Sequence, residues 1–196
     1  AVLCNGLQDA IRLILSLDRS LLEILLLSLR VSCTSVLLGA FIGIPLGSLV
    51  GLRHFPGRDV IVMLLNTFMG LPPVAVGLVV YLMLSRSGPF GVLGLLFTPA
   101  AMVVAQTILV TPIIAALAHA AVSGVDPLIR DAAKSLGAGA LDQGFTVLRE
   151  SRYAILAGVI AGFGRAIGEV GAVMIVGGNI TGSTRTMTTA MILETG

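Results

Sequence analysis

The chain has 196 residues, of which 56% are hydrophobic and 11% charged, with a formal net charge of +2. Its mean hydropathy is +1.04. A soluble domain carries about 25% charged residues, so this composition excludes a wetted globule and indicates an integral membrane protein. Long unbroken apolar runs point to helices, since barrel strands alternate polar and apolar residues. Cys4 and Cys33 do not form a disulfide framework, and Cys33 falls within an apolar run.

In residues 1–20, Leu7, Ile11, Ile14 and Leu15 share one helical face, which suits an interfacial helix leading into the first span. Span one is predicted over residues 21–52, with Arg30 and Pro45 inside it. Arg30 is placed near the outer end, where its head can reach water. Residues 53–59, with Arg53, His54 and Arg58, form a short polar loop. Span two is predicted over 60–84, interrupted by Pro72-Pro73, and 85–90 is a tight turn. Span three is predicted over 91–122, with His119 near its inner end, and span four over 153–178. A Thr-rich tail, 180–196, follows. Each span exceeds the roughly 20 residues a bilayer core requires.

A polar stretch, 126–150, separates spans three and four and holds the only lysine, Lys134. Asp126 before Pro127 is a strong helix start. The helix is expected to run to about Leu136, stopped by Gly137 and Gly139. A second short helix is expected from Ala140 to about Arg149. The result is a charged pair of helices outside the membrane, placed to touch something soluble. Arg53, Arg58, Arg130, Lys134, Arg149 and Arg152 lie on one side, which the positive-inside bias makes cytoplasmic.

Within span four, Arg165 and Glu169 are four residues apart and share a helical face. A charge at mid-membrane costs about 2.5–3.5 kcal/mol on insertion scales, so such residues face a protein interior or a wet path. Both a structural ion pair and a pathway role fit. Gly158, Gly162, Gly164, Gly168 and Gly171 permit close helix approach. Downstream, Gly178, Asn179, Thr184 and Arg185 stand in a segment whose hydroxyls and free backbone N–H groups are candidates for holding an oxyanion. Enzyme readings fail. No G-x-x-x-x-G-K-[ST] motif precedes Lys134-Ser135, His54 and His119 lack nearby metal-ligand partners, and no Gly-x-Ser-x-Gly motif occurs. An ion-coupled transporter or channel with Arg165 and Glu169 as its coupling site remains an alternative at this level.

The polar stretch resembles the cytoplasmic loop of ABC importer permeases, whose pattern is E-A-A, three residues, Gly, nine residues, I-x-L-P. Asp131-Ala132-Ala133 stands at E-A-A, Gly137 at the glycine and Val147 at the isoleucine, while Arg149 and Glu150 replace the L and P. Residues 164–171, Gly177-Gly178-Asn179-Ile180 and residues 184–190 resemble the molybdate/tungstate permeases, the tungstate branch most. The resemblance spans roughly residues 124–194. It implies an all-α type I ABC importer transmembrane domain over 1–196. About four spans are present, and a fifth is expected beyond the C-terminus. It also implies a coupling loop at 124–152 in which Asp131, Ala132, Ala133, Lys134, Leu136 and Gly137 dock an ATPase subunit. Arg165, Glu169, Gly178, Asn179, Thr184 and Arg185 would line the pathway or gate. The implied partners are a second copy of the chain, the ATPase, an extracytoplasmic substrate-binding protein and the lipid membrane, with no nucleic acid. The chain would carry no cofactor, since ATP and Mg belong to the ATPase. The implied location is the cell (inner) membrane of a bacterium or archaeon.

Overall fold

The computed structural model describes residues 19–53 and 55–195. The helix expected in the first twenty residues, His54 and Cys4 therefore lie outside the described residues, apart from Arg19 and Ser20. The described chain is helical: α1 (Arg19–Leu52), α2 (Arg58–Met69), α3 (Pro73–Leu84), α4 (Pro99–Ser123), α5 (Pro127–Ser135), α6 (Ala140–Ile167), α7 (Gly171–Gly177) and α8 (Met187–Thr195).

Of these, α1 and α4 are each long and apolar enough to cross a bilayer unaided, at mean hydropathies of 2.0 and 2.1. The predicted second span is not one rod, because α2 and α3 meet at 96°. Pro72 and Pro73 supply no N–H, so the helical ladder stops at Gly70 and restarts with proline at the first position. The predicted fourth span also breaks: α6 ends at Ile167 and α7 departs at 57°. Counting each bent pair as one span gives up to four. Span three starts later than expected, at Pro99, because residues 85–98 are spent on turns and a short 3-10 helix, Gly91–Leu93.

The second loop helix and span four, expected as separate elements, are one continuous helix, α6. No proline stands at Glu150 to interrupt the ladder, so helical bonding runs from the loop into the bundle.

The main seam joins α1 to α4. Gly39, Gly43, Gly47 and Gly51 recur every fourth residue along α1 and face α4. A Cβ on Gly43 would lie 2.9 Å from the Thr111 carbonyl oxygen, and one on Gly47 would collide with the Ala115 carbonyl. Such close approach is how helices gain packing where lipid removes any hydrophobic drive to associate. In α6, Gly158 seats on Leu117 and Gly162 on Ile114, as the glycine pattern predicted, whereas Gly164 faces open space. The central core gathers Val31, Val76, Val80, Met102, Leu109, Val173 and Val176 from α1, α3, α4 and α7. Leu37, Phe41, Leu82 and Ile160 are among the large apolar side chains left exposed, as a lipid-facing surface requires.

Candidate functional site

The loop end of the bundle is built as its sequence dictates. Asp126 Oδ1 accepts the Leu128 N–H at 2.9 Å and Pro127 opens α5. At the other end Gly137 takes a left-handed turn (φ 83°), and its N–H donates to Lys134 O. Gly139 does not share in stopping α5; it precedes α6, where Asp142 Oδ2 accepts its N–H at 3.3 Å. Asp131, Ala132, Lys134, Leu136 and Gly137 are exposed, and Ala133 is half-buried. Leu128 on α5, Leu136 in the turn after it, and Leu141 and Phe145 at the start of α6 are each at least 70% exposed.

Arg58 anchors this end. Its Nε donates to Val50 O at 2.9 Å, satisfying a carbonyl at the C-terminus of α1. Its Nη2 lies 3.1 Å from His119 Nε2 and 3.3 Å from Ser123 Oγ, both on α4. Arg58, Arg130 and Asp131 also line one cavity of about 280 Å³. The 53–59 and 124–139 connections thus share one end of the bundle, in keeping with the charge count. His119 sits at that end of α4, where it was expected.

At the α6–α7 break, Arg165 Nη1 donates to Glu169 Oε2 at 2.8 Å. Glu169 is 4% exposed and its other oxygen accepts the N–H groups of Val170 (3.1 Å) and Ala172 (3.2 Å). The carboxylate therefore caps α7, whose first N–H groups have no helical partner. Gln106 Nε2 donates to Ala166 O at 2.9 Å, and Thr188 Oγ1 donates to Glu169 O at 3.0 Å. Gln106, Ser28, Ser32 and Thr186 line a small void of about 10 Å³ with Glu169 and Thr188. Sequence reasoning missed Gln106 and Ser28. The signal was there for Gln106, a buried amide in an apolar span, but its partner is set by packing.

Gly178, Asn179, Thr184 and Arg185 follow α7 in the chain, and the segment returns toward Glu169 at Thr186 and Thr188. Gly178 is left-handed (φ 71°), and a Cβ there would lie 2.7 Å from the Phe97 ring. Asn179 is also left-handed (φ 50°). Thr184 is fully buried; its Oγ1 donates to Gly177 O at 2.5 Å and accepts from Ile180 N at 2.9 Å. The expectation of free backbone N–H groups fails at Ser183, Thr184 and Arg185, which all donate to Ile180 O. Thr186 and Thr189 are likewise buried and bonded to each other. The tail is therefore wound on itself and ends in α8 rather than in an open loop. Met187 N donates to Ser28 Oγ at 2.8 Å, which ties it to α1.

A bundle with broken spans, glycine seams and one exposed apolar-and-charged loop element defines a multi-pass membrane subunit with a surface for a soluble partner. Residues 43–194 match the family described as binding-protein-dependent transport system inner membrane component, and the chain belongs to that family. It is similar to a probable anion ABC transporter permease protein of Haloferax volcanii, 48% identical over 89% of this chain and 77% of the relative. It is 40% identical to the tungstate uptake system permease protein TupB of Peptoclostridium acidaminophilum, over 97% of this chain and 84% of that one. It is 33% identical to the molybdenum transport system permease protein ModB of Escherichia coli, over 86% of this chain and 77% of that one. The chain is an ABC importer permease subunit of the molybdate/tungstate type, seated in the cell membrane.

Proposed function

We propose that this permease carries tungstate inward, two copies side by side, each docked on an ATPase subunit that binds ATP and Mg. An extracytoplasmic binding protein delivers the anion. ATP closes the two ATPases, the α5 elements move with them, and the spans rock between inward-open and outward-open states. The observation that carries the substrate is the 40% identity, over 97% of the chain, to a protein named as a tungstate permease, against 33% for the molybdenum permease of Escherichia coli.

The exposure of Leu128 and Leu136, and of Asp131, Ala132, Lys134 and Gly137 with half-buried Ala133 among them, supports ATPase docking on α5 and its flanking turns. Because α6 is continuous, a push on the loop is delivered along a stiff rod to Arg165 at the α6–α7 break. Arg165 and Glu169 then act at a hinge of the gate. Gly178, Asn179, Thr184 and Arg185 line the mouth on the side away from α5. The test is uptake of isotopic tungstate into proteoliposomes holding this chain, its ATPase and its binding protein. ATP-dependent uptake in which tungstate outcompetes molybdate is expected. Uptake that prefers molybdate, or that persists without the ATPase, overturns the reading.

A further inference from the structure

The end of the bundle opposite α5 holds a cavity of about 370 Å³ lined by Arg30, Arg185, Glu23, Thr181 and Ser183, with an apolar wall from α1. We infer that it is a binding site for a free tetrahedral oxyanion at the outer mouth, with Arg30 and Arg185 as its cationic ligands. This rests on the oxyanion importer reading and adds to it a place where the anion stops.

Four observations converge. First, among the described residues neither Arg30 nor Arg185 has an acidic partner, as is also true of Arg53, Arg86, Arg130, Lys134, Arg149 and Arg152. Second, Arg185 Nε is buried with no hydrogen-bond acceptor. Enclosed in this way, Nε is out of reach of the cavity, and the Nη groups are left as the part of the guanidinium that can meet an anion there. Third, the Glu23 carboxylate on the cavity wall is balanced by Arg19 at 3.5 Å, so the group of Arg19, Glu23, Arg30 and Arg185 stays net positive. Fourth, the geometry is built rather than accidental. The Met187 N–H to Ser28 Oγ bond pins the chain just after Arg185 against α1 just before Arg30, and the three bonds to Ile180 O fix the turn between them.

The depth also fits. At about 1.5 Å per residue, about 33 Å of helix separates Arg30 from Leu52, close to the roughly 30 Å of a bilayer core. With Leu52 and Arg53 at the inner boundary, Arg30 lies at the outer one, reachable from water. Guanidinium groups present planar forks suited to tetrahedral oxyanions, and the Thr181 and Ser183 hydroxyls add neutral donors. A lipid phosphate shares this chemistry and must be separated by experiment.

The experiment measures equilibrium binding of isotopic tungstate to the full-length permease–ATPase complex, without binding protein, in phosphatidylcholine nanodiscs. Arg30→Gln and Arg185→Gln are each expected to weaken binding at least tenfold, while Arg30→Lys and Arg185→Lys, which keep the charge, lose less than the Gln variants. Unchanged binding in both Gln variants overturns the site. So does an acidic lipid that co-purifies with wild type, is absent from the variants and is not displaced by tungstate; the arginines then hold a headgroup. Variants that bind tungstate normally but fail to capture the binding protein assign the surface to that protein, and also overturn the site. If wild type prefers sulfate or molybdate with the same dependence on both arginines, the site stands and the tungstate reading falls. If proteoliposomes import tungstate and the variants bind it as wild type does, the importer reading stands and the site falls.

Discussion

Glu169 holds Arg165 at 2.8 Å with one carboxylate oxygen while the other caps the N-terminus of α7. The acid is thus a backbone cap as well as an ion-pair partner. Glu169→Ala removes both roles at a 4%-exposed site, leaving the Arg165 charge and the Ala172 N–H unpaired. Because the Arg165 side chain is 37% exposed, the loss is set mainly by the orphaned backbone donors, and about 1–3 kcal/mol is expected. Glu169→Gln keeps an acceptor oxygen and loses less. The charge-swapped double variant, Arg165→Glu with Glu169→Arg, does not recover wild-type stability, because a guanidinium accepts no hydrogen bond. Thermal unfolding of the purified complex reads all three, and full recovery by the swap would show that capping carries no weight.

The α1–α4 seam should reject any side chain. Gly47→Ala places a Cβ into the Ala115 carbonyl, so the two helices must separate along their length. A drop in thermal stability of about 1–3 kcal/mol is expected from such overpacking. Gly164→Ala is the control: nothing lies within 4 Å, and alanine favours helix by up to about 1 kcal/mol. It should be neutral or stabilising, as read by fluorescence-detected size exclusion after heating.

For the loop, Leu136→Asp changes a side chain that is 88% exposed, so the permease should fold and reach the membrane. If α5 and its turns dock the ATPase, that variant loses the co-purifying ATPase and its uptake falls at least tenfold. Gly137→Leu adds strain at φ 83° of about 1–2 kcal/mol and should cut uptake with less loss of the ATPase. Normal ATPase recovery and uptake in both variants would remove the docking role from this surface.

Arg58→Ala deletes hydrogen bonds to Val50, His119 and Ser123 at once. Hydrogen bonds to charged groups contribute about 1.5–3 kcal/mol, so the loss should exceed that of a single neutral bond. Amide exchange at Arg53, whose N–H donates to Leu49 O at the fraying end of α1, should accelerate. Arg58→Lys cannot reach all three acceptors together and should restore only part of the protection.

What could be read in advance follows the range of the interaction involved. The start of α5 at Asp126-Pro127 and its end at Gly137 are decided by residues within one turn of each other, and both hold. The break at Pro72-Pro73 was visible for the same reason, but its 96° angle was not, since the lack of an N–H fixes where a helix stops and neighbours fix where the next one points. The glycines of α6 were legible as contact sites, yet Gly164 touches nothing, because which face meets a neighbour depends on that neighbour. The four-residue glycine period of α1 is equally visible in the sequence, and its partner α4 is not. The Arg165–Glu169 pair was legible at four-residue spacing. That Glu169 caps α7 was hidden, because nothing in Gly168-Glu169-Val170 by itself requires the helix to break there.

The sequence alone determined that this is a helical membrane protein, where its polar loop lies, which residues begin and end α5, and which family it resembles. Those properties rest on hydropathy and on backbone groups satisfied within a few residues. Only the tertiary structure decided that α4 packs on a glycine seam, that Gln106 reaches Ala166 across the bundle, that Arg58 joins α1 to α4, and that Arg30 and Arg185 share one cavity. Each is a contact between residues far apart in the chain, and in lipid the choice of helix partner turns on shape and unsatisfied polar groups rather than on hydrophobicity, which every span has in excess.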